Sequence, residues 1–176
     1  MKNLTWQNPE QLFVAQELIN KVKSKCCGIK VTVKTSFNSS ALFDQCGIAI
    51  YLDSDNWMKA SIEYENEEYQ RLGSVVTNNG YSDWATHDIP SSIKEMWYRL
   101  SRRGSDYYIE TSPDGTTFHQ MRTFHLDKGD GEISFGIYAA SPVDHSFTAQ
   151  FSEMEVGECK WQSWSAEDTG FKQTTK

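Results

Sequence analysis

Trp57, Lys59, Ser61 and Glu63 occupy alternate positions of the run Trp57-Met58-Lys59-Ala60-Ser61-Ile62-Glu63. A β-strand sends every second side chain to the same face. Read as a strand, this run gathers an indole, an ammonium, a hydroxyl and a carboxylate on one surface, with Met58, Ala60 and Ile62 on the other. That set suits ligand binding. An indole offers the apolar face of a sugar ring a stacking platform. Lys59, Glu63 and an amide such as Gln45 can between them donate to and accept from hydroxyl groups. A structural role fits the same residues: Trp57 covering a sheet edge, with Lys59, Glu63 and Arg71 forming a cross-strand ion network on a solvated face.

Glu63 is also the first candidate for acid–base chemistry. Glycoside hydrolysis needs two carboxyl groups, about 5 Å or about 6.5–9.5 Å apart according to mechanism. Glu65 lies only two residues on, toward the strand end. A neighbouring Lys59 keeps Glu63 ionised, which opposes a general-acid role. Whether the protein is an enzyme is left open, with the balance against it. Catalysis would need a further carboxylate, such as Asp44 or Asp83, to approach Glu63. His87, His119, His125 and His145 give no Ser-His-Asp or Cys-His arrangement, and no Gly-rich phosphate loop is present. Asp53-Ser54-Asp55-Asn56 concentrates oxygen ligands. It lacks a Glu at calcium-loop spacing and reads as an ordinary turn former. No metal and no cofactor are expected.

The bulk composition narrows the partners. The chain has 176 residues, 38% hydrophobic and 13% aromatic, enough for one domain with a real core. A net charge of -7 argues against nucleic acid or an anionic membrane as partner. No apolar run approaches the roughly 20 residues of a membrane span. Met1 to Leu18 carries Gln, Asn and Glu where a secretory signal would be basic and then apolar, so a cytoplasmic location is expected. Cys26, Cys27, Cys46 and Cys159 show no C-x-x-C spacing and are expected to be free thiols.

These residues need a scaffold of strands. Ile29, Val31, Val33 and Thr35 alternate with Lys30, Thr32 and Lys34 over 29–37. Similar runs recur at 43–51, 57–65, 69–77, 97–103, 107–112, 118–124, 133–140 and 146–156. Turn formers such as Pro113-Asp114-Gly115 separate many of them. Short strands at this spacing predict an all-β sandwich or barrel. Antiparallel pairing of 43–51 with 57–65 across a five-residue loop sets Tyr51 opposite Trp57, Ala49 opposite Lys59, Gly47 opposite Ser61, and Gln45 opposite Glu63. Every pair then lies on the polar face. Gly47 would leave a gap there, open to a ligand. A three-residue loop at Asn66-Glu67-Glu68 sets Arg71 opposite Glu63 and Thr77 opposite Trp57. Trp84 is expected in a loop, Tyr81-Ser82-Asp83-Trp84, as a rim, a lid or a loop anchor. Pro9 to Ser24 carries weak helical character, as a short helix or an irregular edge. Residues 1–158 are expected to form the domain and 159–176 a polar tail whose end frays.

The order of these motifs resembles a family of uncharacterised concanavalin-A-like domains that includes bacterial YesU-like and fungal regulation-of-enolase types. The resemblance rests on Asp44-Gln45-Cys46-Gly47, Trp57-x-Lys59-x-x-x-Glu63, Ser74-Val75-Val76-Thr77 and Ser82-Asp83-Trp84. It continues through Thr111 to Phe118 and Gly136 to Pro142, covering roughly residues 29 to 156. It implies a jelly-roll β-sandwich of two antiparallel sheets, with any sugar site on the concave face. It also implies a carbohydrate or small polar ligand, a protein partner as the alternative, and a divergent carbohydrate-active enzyme as a third reading. The glucanase signature of this fold, two glutamates four residues apart on one strand, is missing, because Lys59 stands four before Glu63. The aspartate-aromatic-tryptophan segment usual before the first long strand is missing too. The expected ligand-binding residues are Gln45, Trp57, Lys59, Glu63 and Trp84, with Tyr51, Arg71, Thr77, Asp83 and Tyr138 around them.

Overall fold

The alternating runs fold as strands. The computed structural model describes residues 2–5, 13–14, 29–143, 147–159 and 161, and no helix occurs among them. In chain order the strands are β1 (Lys2–Thr5), β2 (Phe13–Val14), β3 (Ile29–Phe37), β4 (Gln45–Asp53), β5 (Asn56–Tyr64) and β6 (Tyr69–Asn78). They continue with β7 (Tyr81–Pro90), β8 (Glu95–Arg103), β9 (Asp106–Ser112), β10 (His119–His125), β11 (Ser134–Ala140) and β12 (Thr148–Glu158). They form two antiparallel six-stranded sheets, ordered β1-β12-β3-β8-β9-β10 and β2-β11-β4-β5-β6-β7. The protein is a jelly-roll β-sandwich.

The core lies between the sheets. Val31, Val33, Met96, Tyr98, Leu100 and Ile109 come from the first sheet; Cys46, Ile48, Ile50, Met58, Ile62 and Ile137 come from the second. Each such side chain contributes about 1.5–3 kcal/mol when removed from water. Cys46 is fully buried, and its backbone carbonyl accepts a hydrogen bond from the Tyr98 hydroxyl at 3.4 Å. Burial, with Asp44 close by, pushes the Cys46 thiol far above its ordinary range.

The pairing expected from alternation is the pairing found. Gln45 faces Glu63, Gly47 faces Ser61, Ala49 faces Lys59, and Tyr51 faces Trp57. Across the next seam Trp57 faces Thr77 and Glu63 faces Arg71. Two details differ. The loop between β4 and β5 is shorter than five residues, because β4 runs to Asp53 and β5 starts at Asn56. The Asp53 carboxylate draws the turn tight by accepting from Asn56 Nδ2 at 2.7 Å and Asp55 N–H at 2.9 Å. Gly47 does not leave a gap for a ligand. A Cβ there would land on the backbone carbonyl of Ala60, so the glycine lets β5 approach β4.

The segment expected as a loop around Trp84 is a strand. β7 pairs with β6 along its whole length, from Tyr69↔Pro90 to Asn78↔Tyr81. Asn79 and Gly80, with φ of 51° and 82°, form the two-residue turn that joins them. His87 therefore lies in β7 as well. Other ends shift by one or two residues, as strand ends do. Pro113-Asp114-Gly115 joins β9 to β10 as expected. Of the segment Pro9 to Ser24, Phe13–Val14 is a strand beside β11, and the rest lies outside the described residues. So do Cys26, Cys27, His145 and the tail end Thr169 to Lys176.

Candidate functional site

The outer face of the second sheet collects most of the expected residues. β4 supplies Gln45 and Tyr51, β5 supplies Trp57, Lys59 and Glu63, and β11 supplies Tyr138. The start of β4 is pinned by Asp44, whose carboxylate accepts from Ser40 N–H at 3.0 Å, Ala41 N–H at 2.9 Å and the Ser141 hydroxyl at 2.6 Å. Asp44 is fully buried and committed to those bonds, so it acts on the site only by placing Gln45.

Gln45 is the hub. Its Oε1 accepts a short hydrogen bond from Lys59 Nζ and a second from the Tyr138 hydroxyl at 2.8 Å. Its Nε2 donates to the Phe43 carbonyl at 3.2 Å. Lys59 Nζ also lies 3.9 Å from Glu63 Oε2 and 5.3 Å from the centre of the Tyr138 ring. Burial lowers the Lys59 pKa, and the Glu63 charge opposes that shift. Burial likewise raises the Tyr138 phenol, with Glu63 adding to it. Lys59 thus enters the site with one donor on Gln45 and the others free to turn.

A cavity of about 380 Å³ opens beside this hub. Its walls are Tyr51, Trp57, Tyr138 and Ala49, with Ser54 at the turn and the Lys59 side chain at one end. Its lining is mostly apolar, with few polar groups, as in small-ligand sites. On the other side of Lys59 lies a hollow of only about 10 Å³ between Glu63, Arg71 and Trp84, about one water in size.

The remaining expected residues divide. Arg71 faces Glu63 across the ladder, yet its Nε lies 2.9 Å from Glu65 Oε1 and its guanidinium 5.5 Å from the Trp84 ring. Trp84 lies on the same outer face, on β7, and is 50% exposed. Thr77 is buried, sharing a 2.8 Å hydrogen bond with the Ser82 hydroxyl. Asp83 is not brought to the site. It sits opposite the core residue Val76, on the other face of the sheet, and pairs with Arg122 at 2.9 Å. Ala49 and Ser54 are wall residues outside the expected binding set; the register placed Ala49 on this face, and nothing marks Ser54 except its turn.

Three comparisons set this geometry among known proteins. The curated yeast protein "Regulation of enolase protein 1" (Saccharomyces cerevisiae) is 32% identical over 127 residues, which are 72% of this chain and 62% of that protein. The chain therefore spans about three fifths of that relative's length. A crystal structure of a functionally unknown S. cerevisiae protein superposes with a TM-score of 0.69 at 22% identity, covering 89% of this chain and 96% of the other. A GH43 protein from Bacillus licheniformis shares the fold with a TM-score of 0.61 at 20% identity, over 75% of this chain and 28% of that one. The family described as "Protein of unknown function (DUF1349)" matches residues 4–159, and the chain belongs to that family.

Proposed function

We propose that the outer face of the second sheet binds a carbohydrate or a similarly small polar ligand with one apolar face. The 380 Å³ cavity carries this reading, because it combines three aromatic walls with a lysine at one end. The ring faces of Trp57 and Tyr51 supply stacking surface. Lys59 donates to ligand hydroxyls, and Glu63 accepts from them. Structural likeness to a GH43 protein is compatible with this reading at the level of fold. The face is read as a binder without chemistry, since Lys59 is the ion beside Glu63 and Asp44 is used elsewhere. A cytoplasmic location goes with it, and Cys46 and Cys159 are unpaired.

A glycan array run with the full chain tests it. The expected result is binding to a defined glycan class, weakened at least about tenfold by Trp57→Ala, the loss of roughly one stacking contact. Absence of binding to every glycan would sink the carbohydrate reading. A second reading, a protein-interaction module, is favoured by the name of the 32%-identical yeast relative. Co-elution of the purified chain with purified enolase checks it directly.

A further inference from the structure

A sheet edge presents unpaired N–H and C=O groups and invites another strand. Among the described residues, three of the four sheet edges are blunted. β1 has four residues and β2 two, and β10 carries a register shift between Gln120 and Arg122. β7 is different. It runs for ten residues in unbroken register with β6, and no described strand lies on its other side. Tyr81 through Asp88 are all exposed, Tyr81 to 85%.

The hairpin fixes which backbone groups are free. The two-residue turn at Asn79-Gly80 makes Asn78 and Tyr81 a hydrogen-bonded pair, and the ladder alternates from there. Asp83, Ala85, His87 and Ile89 turn their N–H and C=O groups toward β6. Ser82, Trp84, Thr86 and Asp88 turn theirs to the open edge. Pro90 falls on the outward parity, where its missing N–H costs nothing within the sheet.

We propose that β7 pairs antiparallel with β7 of a second copy of this chain, about a dyad at Ala85. Ser82 then meets the partner's Asp88, and Trp84 meets the partner's Thr86, which satisfies the outward backbone groups from Ser82 to Asp88. On the other face Asp83 meets the partner's His87, a carboxylate against an imidazole. Tyr81 meets the partner's Ile89. Each contact occurs twice by symmetry. Asp83 Oδ2 keeps its bond to Arg122, which leaves Oδ1 for the imidazole. Other registers lose this match. A dyad at Trp84 sets Asp83 against the partner's Ala85, and one at Thr86 brings Pro90 into the hydrogen-bonded row. A half-step slip opposes Asp83 to the partner's Asp88. The complementarity of charge and of backbone polarity together selects a second copy as occupant. The dyad is normal to the sheet, so both cavities face the same side of one continuous sheet.

Sedimentation equilibrium of the full chain reads the outcome. A dimer is expected at about 1–100 μM, an ordinary affinity range for such a contact. Thr86→Pro removes an outward N–H, together with the 3.4 Å bond from the Thr86 hydroxyl to the Leu72 carbonyl, and is expected to give a monomer that still melts cooperatively. His87→Glu is expected to weaken the dimer at least about tenfold by setting two carboxylates opposite each other, and Asp83→Lys to do the same by removing the carboxylate that meets the imidazole and bonds Arg122. Mixing these two variants is expected to restore it, since the introduced lysine then faces the introduced glutamate. A chain that stays monomeric across that range overturns the proposal. A dimer unmoved by Thr86→Pro, or a mixture of the two charge variants that stays dissociated while both remain folded, overturns it too.

Discussion

Lys59 carries a charge under tension. Its ammonium is drawn out of water by the aromatic walls and is balanced by Glu63 at 3.9 Å. Desolvation lowers its pKa, so it loses its proton at a lower pH than an ordinary lysine near 10.4. The sign for stability follows. Between the lowered folded value and the unfolded value the native state binds fewer protons, so stability rises with pH through that window. Competitive acylation followed by peptide mass analysis should give Lys59 a titration midpoint below the ordinary lysine value. A midpoint at that ordinary value would count against the burial of this amine. The residue types at this site were legible in the sequence, because strict alternation put Trp57, Lys59 and Glu63 on one face. Their partners were less so. Arg71 stands opposite Glu63 in register but turns to Glu65, a choice of rotamer that no spacing encodes.

Elements hold that face by close backbone approach and by turn chemistry. Gly47→Ala would drive a methyl group onto the Ala60 carbonyl and part β4 from β5. A loss of about 1–3 kcal/mol is expected, the usual cost of overpacking, measured by chemical denaturation. Asp44→Ala would strand the buried donors at Ala41 and Ser141 and free the Ser40 N–H, and a loss of about 3 kcal/mol is expected by the same method. The register of β4, β5 and β6 was readable because one face had to be apolar. β7 was not, because an edge strand exposed on both sides carries no such alternation: Tyr81 through Asp88 are all exposed. Its signal lay instead in the turn, where Asn79-Gly80 is the dipeptide that suits a two-residue hairpin.

The whole molecule is a sandwich whose acid limit can be anticipated from its turns. The Asp114 carboxyl is held well below its ordinary value by the N–H groups of Thr117 and Thr116 and by the Ser112 hydroxyl. Asp53 and Glu95 are lowered too, the first chiefly by Asn56 and the second by Lys34. Carboxyls lowered in the native state add stability above their unfolded values, near 4, and that stability is lost as pH falls below them. Melting temperature should therefore fall between about pH 5 and pH 2, and less steeply for Asp114→Asn. The burial of Cys46 has a different use. Its sulfur lies at the middle of the sandwich with a pKa far above the working range, so no thiol reagent reaches it while the sheets stay closed. Cys159 is partly exposed and should react at once. Slow labelling at Cys46, read on its own peptide by mass analysis, then acts as a clock, ticking only when a molecule opens through its core, and its rate in plain buffer counts how often that happens.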